Sequence, residues 1–336
     1  MKYSGSGKDA FVLGVDIGGT NIKYGVFRGT KDFMRLLSDG SFPTDRSEGG
    51  KYVFSDFFRR MEGRLSEDGL DFSKIGALGI AVPGPVTEGR TVHGCPNLGW
   101  GTVDVRKAAE MYFHGPVYAV NDANAACRGE FTYGAGKGCR SGVMVTIGTG
   151  IGSGIWLNGT VLEGAFGATG EIGHMPMHPE AGPERLCGCG KTGCLEQYAS
   201  ASGILKTAEL LRAEDQSFQE DSELTAEIVF KKAKEGESWA VRTAESASEM
   251  LGHAFAFVSC VLDPEIFILG GGVSRAGEAF RNRIQAAYRK YCYWPSRDAA
   301  FALAGLGNKA GIYGAAQGAF SLFCEPNQKC SAAGSG

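Results

Sequence analysis

His174 and the run Cys187-Gly-Cys189-Gly-Lys-Thr-Gly-Cys194 constrain this chain more than any other feature. One imidazole and three thiols on a short, glycine-rich stretch supply the donors of a closed tetrahedral zinc site of the Cys₃His type. A closed site has no open coordination position for water, so such a metal shapes a loop and does not attack a substrate. The competing reading is three buried thiols that bind nothing; a disulfide would leave one thiol over. The run ends in Leu195-Glu196, which delivers a carboxylate straight off the last ligand.

At 336 residues the chain is long enough for two domains, each with its own core. The expected division is residues 1–121 with about 308–324 as the smaller α/β domain, and 122–307 as the larger one with the zinc loop. Residues 325–336 read as a disordered tail. Net charge is −3, from 34 basic and 37 acidic residues with no basic run, which disfavours nucleic acid or an anionic membrane as partner. No stretch reaches the roughly 20 apolar residues of a membrane span. The polar, glycine-rich start does not resemble a secretory leader, and ten cysteines without one point to the reducing cytoplasm. Cys260 and Cys292, in apolar or aromatic surroundings, read as packing residues. Glycine occurs 52 times, and much of it clusters at the ends of apolar runs, as expected where backbone approaches phosphate closely.

Residues 10–15 form an apolar run that stops at Asp16; after Gly18-Gly19-Thr20 the chain alternates through Ile22, Tyr24 and Val26. That is strand, glycine turn, strand. A third strand is expected at 35–41 and an amphipathic helix at 50–66, carrying Phe54, Phe57, Phe58, Met61 and Leu65. Strand 75–82, a helix at 103–112 and strand 117–120 follow, which suggests a mixed sheet with helices against it. The opening pattern then recurs: strand 143–147, the turn Gly148-Thr149-Gly150, and strand 155–157. Helices are expected at 200–213, 224–234, 238–261, 280–288 and 309–322, and strands at 266–269 and 300–303. Residues 213–222 read as a solvated loop.

Two nucleotide motifs are excluded. The dinucleotide pattern G-x-G-x-x-G fails because its third glycine falls on Ser153, and both glycine turns lead into strands instead of a helix. A Walker A loop ending at Gly190-Lys191-Thr192 would need glycine at Arg185. What remains is a pair of hairpin turns whose amides can point at phosphate oxygens, with Thr20 and Thr149 adding hydroxyl donors. Asp16 is placed to hold Mg²⁺ through water. Either turn alone could be an ordinary hairpin.

Taken in order, Asp16-Ile-Gly-Gly-Thr20, Asn121-Asp122-Ala-Asn124, Gly148-Thr149-Gly150-Ile-Gly152, Gly170-Glu171-Ile-Gly-His174, the thiol run through Glu196, and Gly270-Gly271-Gly272-Val-Ser resemble the ROK family of sugar kinases and repressors. The resemblance implies an actin-like ATPase (ribonuclease H-like) fold, two α/β domains around a cleft. ATP with Mg²⁺ would lie against Asp16, Gly18, Gly19, Thr20, Thr149 and Gly150, and Gly271 and Gly272 would meet adenosine. Asp122 would be the general base; by position alone, an aspartate at a helix start could equally be a helix cap. Gly84, Asn97, Asn121, Glu171, His174 and Glu196 would contact the sugar, with His174 ligating structural zinc beside Cys187, Cys189 and Cys194. Glu196 could instead be an outer group of the metal loop, and turn asparagines such as Asn97 are usually structural. His253 reads as a satisfied core or surface residue, and His93, His114 and His178 carry no signal.

The implied activity is ATP-dependent phosphorylation of a hexose. Glu171 and the form of the loop around Glu196 resemble the family's bacterial glucokinases, so glucose giving glucose 6-phosphate is expected. N-acetylmannosamine, N-acetylglucosamine, allose or fructose are the alternatives. A non-catalytic, sugar-responsive regulator is the rival from another class. Residues 1–15 are too few and not basic enough for the DNA-reading domain a repressor of the family carries, and the presence of Asp122 argues against a catalytically dead protein. The resemblance also implies a homodimer or homotetramer.

Overall fold

The computed structural model describes residues 10–30, 33–177, 184–214 and 224–324. The expected tail and most of the loop at 213–222 lie outside them, as does His178. The first elements are β1 (Ala10–Ile17), β2 (Asn21–Thr30), β3 (Phe33–Pro43), a short turn α1 (Ser47–Gly50), α2 (Val53–Glu67) and β4 (Ile75–Val82). Next come β5 (Val86–Thr87), β6 (Thr91–Cys95), β7 (Trp100–Asp104), α3 (Val105–Glu110), β8 (Val117–Asn121) and α4 (Asp122–Tyr133). The chain continues through β9 (Ser141–Ile147), β10 (Ile151–Leu157), β11 (Thr160–Val161), α5 (Glu196–Ala199), α6 (Ala201–Ala213), α7 (Ala226–Glu235) and α8 (Ser238–Leu262). It closes with β12 (Ile266–Gly270), α9 (Glu278–Tyr291), β13 (Ala300–Leu303) and α10 (Ala310–Cys324).

The chain divides into two compact units. Of the described residues, one holds those within 10–129, 165–167 and 311–324, and the other those within 130–164 and 168–310. The boundary falls inside α4, whereas sequence reading places it just ahead of that helix. Each unit has a five-stranded sheet, ordered β3-β2-β1-β4-β8 in the first and β11-β10-β9-β12-β13 in the second. In both, the hairpin pairs are antiparallel and the later strands join in parallel. The repeated strand–turn–strand pattern is therefore the visible part of a repeated sheet.

The first unit shows what the strand alternation is for. Leu13, Val15 and Ile17 of β1 point to one face, where they bury against Phe57, Met61 and Leu65 of α2. The opposite face carries Gly14, in register with Gly25 of β2 and Gly79 of β4. This glycine row seats α10. A Cβ on Gly14 would lie 2.1 Å from the Ile312 carbonyl oxygen, and one on Gly79 would lie 1.9 Å from that of Ala315. Gly314 of α10 approaches α4 in the same way: a Cβ there would lie 1.7 Å from the Ala125 carbonyl oxygen. Part of the glycine excess thus serves helix packing, and the expectation that it serves phosphate applies only to the turns.

The helix expected at 103–112 begins only at Val105, because Val103 pairs with Val92 in a small sheet, β5-β6-β7, which sequence reading misses. Cys292 packs against the second core, but Cys260 is exposed on α8, contrary to its expected packing role. Among the described residues no helix is long and apolar enough to cross a membrane.

The glycine row makes a contrast testable by chemical denaturation. Gly79→Ala should destabilise by about 2–4 kcal/mol, as for other overpacked cores, because backbone must move. Gly63→Ala, on α2 with nothing within 4 Å of the added methyl, should stabilise by up to about 1 kcal/mol. Equal effects at the two positions would refute the role of the row.

Candidate active site and metal centre

In the first unit the turn after β1 is tied down on one side. Gly18 N–H donates to the Asn21 carbonyl (3.0 Å), and Thr44 braces the turn through its amide to Thr20 O (2.9 Å) and its hydroxyl to Gly18 O (2.7 Å). Thr20 is exposed and Gly18 and Gly19 half-buried, so the turn keeps an open side. Asp16 lies opposite Lys23 in the β1–β2 register, and the two form an ion pair at 3.5 Å. Its carboxylate also faces the first turn of α10, 3.0 Å from where a side chain on Gly311 would begin. Burial pushes Asp16 above the ordinary carboxylate range and Lys23 opposes the shift. A half-buried carboxylate with one ammonium beside an open glycine turn suits a hydrated divalent cation, since Mg²⁺ keeps most of its waters. Lys23 is a partner of Asp16 that the motifs do not contain, although its place opposite Asp16 follows from pairing the two strands across the turn.

Gly84, Asn121 and Asp122 gather at the end of β8. The Asn121 amide nitrogen donates to Gly84 O (3.1 Å) and to the Asp122 carboxylate (3.1 Å). Asn121 Oδ1 accepts from Asn124 N (3.0 Å), so Asn121 holds the N-cap position of α4. The competing role for Asp122 is already filled. Its carboxylate is exposed and accepts from Ala123 N at 2.8 Å. Asn97 borders the first glycine turn: a side chain on Gly19 would meet its Cβ at 3.3 Å. Buried Cys95 joins the group. Its thiol is pushed up to about 11, by burial first, with the backbone of Leu98 opposing and the Asp122 charge adding to the rise.

In the second unit the turn between β9 and β10 is braced from α5 and α6. Ala201 N donates to Gly148 O (2.8 Å) and the Ser202 hydroxyl to Thr149 O (2.7 Å). Glu196, the first residue of α5, accepts from Ile151 N at 2.9 Å. Position 150 is glycine for the same reason, since a Cβ there would lie 2.3 Å from the Glu196 carboxylate. No atom would crowd a side chain on Gly148 or Gly272 within 4 Å, so backbone is open to an incoming group at both. Gly271 instead lies against Ile147, at positive φ. Glu171 and Glu196 are close enough to interact: burial raises the Glu171 carboxyl, His174 opposes, and Glu196 adds to the rise. Ser153, whose hydroxyl donates to Gly170 O, ties the Glu171–His174 segment to β10.

His174, Cys187, Cys189 and Cys194 offer ligand atoms that all lie within 4.8 Å of one another. His174 Nδ1 is 3.6 Å from Cys187 Sγ, and Cys189 Sγ is 3.6 Å from Cys194 Sγ. Donors bonded to one tetrahedral zinc sit roughly 3.5–3.8 Å apart, given Zn–S and Zn–N lengths of about 2.3 and 2.1 Å. The quartet therefore fits zinc, with Nδ1 as the ligating nitrogen. His253 is stacked between Phe257 and Tyr291, a packed surface residue.

Residues 12–321 match the ROK family. The chain is 34% identical over 314 residues to the glucokinase of Halalkalibacterium halodurans, covering 91% of this chain and 94% of that protein. It is 32% identical over 214 residues to the xylose repressor of Caldicellulosiruptor bescii, covering 62% of this chain and 53% of the repressor. Among solved structures it is similar to the ROK hexokinase from Thermus thermophilus, with TM-score 0.76 and 33% identity over 93% of this chain and 98% of that one. A ROK family glucokinase from Streptomyces griseus, solved with glucose and AMPPNP, gives TM-score 0.74 and 30% identity over 93% and 100%.

The Glu196–Ile151 bond has a stability consequence that can be measured without any ligand. Ile151 is buried, so Glu196→Ala should leave its amide unsatisfied and destabilise by about 1–3 kcal/mol. Gly150→Ala should destabilise by a similar amount, because the methyl would push the same carboxylate off the Ile151 amide. Unfolding curves for Glu196→Ala that superimpose on wild type would show that the bond contributes nothing.

Proposed function

The chain belongs to the ROK family and has the actin-like ATPase fold with two α/β domains, and on that premise we propose that it transfers the γ-phosphoryl group of ATP to a hexose, with glucose as acceptor. The observation that carries the reading is the Asn121–Asp122 pair at the head of α4. A neighbour holds the N-cap position, and the exposed Asp122 carboxylate is oriented by Ala123 N and the Asn121 amide. Phosphoryl transfer is mainly placement and charge neutralisation, with a base to accept the hydroxyl proton. Asp122 is that base. Asn121 fixes its direction and ties it to Gly84, so a sugar hydroxyl meeting Asp122 also meets a fixed amide and backbone.

Glu171 and Glu196 accept hydrogen bonds from other sugar hydroxyls, and Asn97 adds a further contact. The His174 Nδ1 turns to the thiols, which leaves Nε2 for the sugar and locks the ring's orientation. Zinc at this quartet is structural, since all four positions are filled by protein. Asp16 would hold Mg²⁺ through water, and the ion would neutralise charge on the phosphates. The turns at Gly18, Gly19 and Thr20 and at Thr149 and Gly150, with Gly271 and Gly272, cradle the nucleotide. Glucose and AMPPNP in the Streptomyces griseus structure support this pairing of ligands. A kinase for N-acetylmannosamine, N-acetylglucosamine, allose or fructose would use most of the same residues. Similarity to a xylose repressor favours, as the second reading, a sugar-responsive regulator without turnover.

A coupled nucleotide-consumption screen across hexoses and N-acetylhexosamines separates these readings, with the highest kcat/KM expected for glucose. No turnover with any sugar, alongside measurable sugar binding, would establish the regulator. Asp122→Asn should lower kcat by about 10²-fold or more, as expected on losing a general base, while glucose binding by calorimetry stays close to wild type. Near-normal turnover in that variant would remove Asp122 from the chemistry.

The metal is tested by Cys189→Ser, which should drop zinc from one per chain towards zero by elemental analysis and weaken glucose binding through Glu171 and Glu196 together. A chelated protein without zinc that keeps full activity would show the ion to be dispensable.

A further inference from the structure

Arg185 is the residue that rules out a phosphate-binding loop at Gly190-Lys191-Thr192, and the structure gives it a different task. Its guanidinium donates through Nη1 to Gln197 O (2.7 Å) and Gly203 O (2.9 Å), and through Nη2 to the Thr207 hydroxyl (3.0 Å). It lies over the Tyr198 ring at 4.9 Å, and the Arg185 amide donates to the Tyr198 hydroxyl at 3.1 Å. Arg185 O in turn accepts from Gly193 N of the thiol loop (3.0 Å). Among the described residues it makes no ion pair. A half-buried guanidinium spent on two carbonyls, a hydroxyl and a ring is a geometric device, since its planar fork fixes several partners at once.

What it fixes is α5. That helix has four residues, far too short to hold its own direction in water. Its first residue is Glu196, and its position is set from both sides. On the N-terminal side stand the thiol loop and the bonds Leu195 N to Met175 O (2.9 Å) and Gln197 N to Cys194 O (2.9 Å). On the C-terminal side stands Arg185, which joins the Gln197 carbonyl of α5 to the first turns of α6.

We propose that Arg185 is a positioning residue for Glu196: it clamps α5 to α6 independently of the metal, and so holds the Glu196 carboxylate at Ile151 N and towards the bound sugar. The sugar half of this statement rests on the kinase reading above, whereas the clamp itself does not. Its signature is a defect in sugar binding that leaves zinc and nucleotide binding intact. Loss of the quartet would move zinc content as well.

Arg185→Ala and Arg185→Lys are compared with wild type by zinc content, hydrogen exchange and steady-state kinetics. In Arg185→Ala, exchange should rise at residues 196–200 and at Ile151, zinc should stay at the wild-type ratio, and KM for glucose should rise about tenfold with KM for ATP changed less than about twofold. Arg185→Lys should lie between, and millimolar guanidinium should partly restore the alanine variant. Should the alanine variant fail to fold, the lysine variant carries the test, with the same ordering of KM values. Unchanged exchange at 196–200 would overturn the clamp, as would loss of zinc in step with the KM change. Increased exchange in a protein whose wild type phosphorylates no sugar would uphold the clamp and overturn the kinase reading instead.

Discussion

One carboxylate holds the second unit's site together. Glu196 accepts from Ile151 N at 2.9 Å and so joins the β9–β10 turn to the segment that follows the thiols. The consequences spread outwards. Position 150 must be glycine, because the carboxylate occupies the space of its side chain. The turn must be braced from α6, and Ala201 and Ser202 do this through the carbonyls of Gly148 and Thr149. Glu171 feels a second negative charge and is raised further above its ordinary range. A carboxylate in this position is an anion that burial penalises unless donors meet it, and amide donors at hydrogen-bond distance are the simplest answer.

The thiol quartet and α5 belong to the same chain of dependence. A loop with glycine at 188, 190 and 193 has little intrinsic stiffness, and a four-residue helix adds little more. Order comes from points of attachment: four ligand atoms within 4.8 Å of each other on one side and the Arg185 fork on the other. With a metal on the quartet the chain would be stapled twice, and Glu196 lies in the segment between the two points of attachment.

Much of this was legible in the sequence, for identifiable reasons. The quartet could be read because three thiols and an imidazole at such close spacing rarely serve any purpose but holding a metal. The hairpins at Gly18 and Gly148 could be read because apolar runs of period two end abruptly in glycine, and the repeated sheet order places both turns alike. The glycine row Gly25–Gly14–Gly79 could not be read. It becomes visible only when strand register is known, since three glycines on three strands have no common pattern along the chain. Arg185 was hidden for a similar reason: its partners at 197, 203 and 207 are carbonyls and a hydroxyl, which leave no charge pattern to notice. The small sheet β5-β6-β7 was missed because two-residue and five-residue strands fall below the length at which alternation stands out. A helix drawn from residue 103 consequently takes in Val103, which belongs to β7.

The repeat also explains why the two turns have different electrostatic characters. Asp16 and Lys23 face each other one step before the first turn; the corresponding pair before the second is Thr146 and Gly152. There the Thr146 hydroxyl donates to the Gly152 carbonyl at 3.1 Å, which settles a neutral pair internally. The first hairpin therefore presents a carboxylate that burial raises and a single ammonium opposes, a local charge that a hydrated cation can complete. The second has no such carboxylate one step before its turn and can offer only amide and hydroxyl donors. In the kinase reading the first turn would act through a cation and the second through direct hydrogen bonds. The two sheets share a strand order around the turn, and the residue pair one step before each turn sets what that turn can offer.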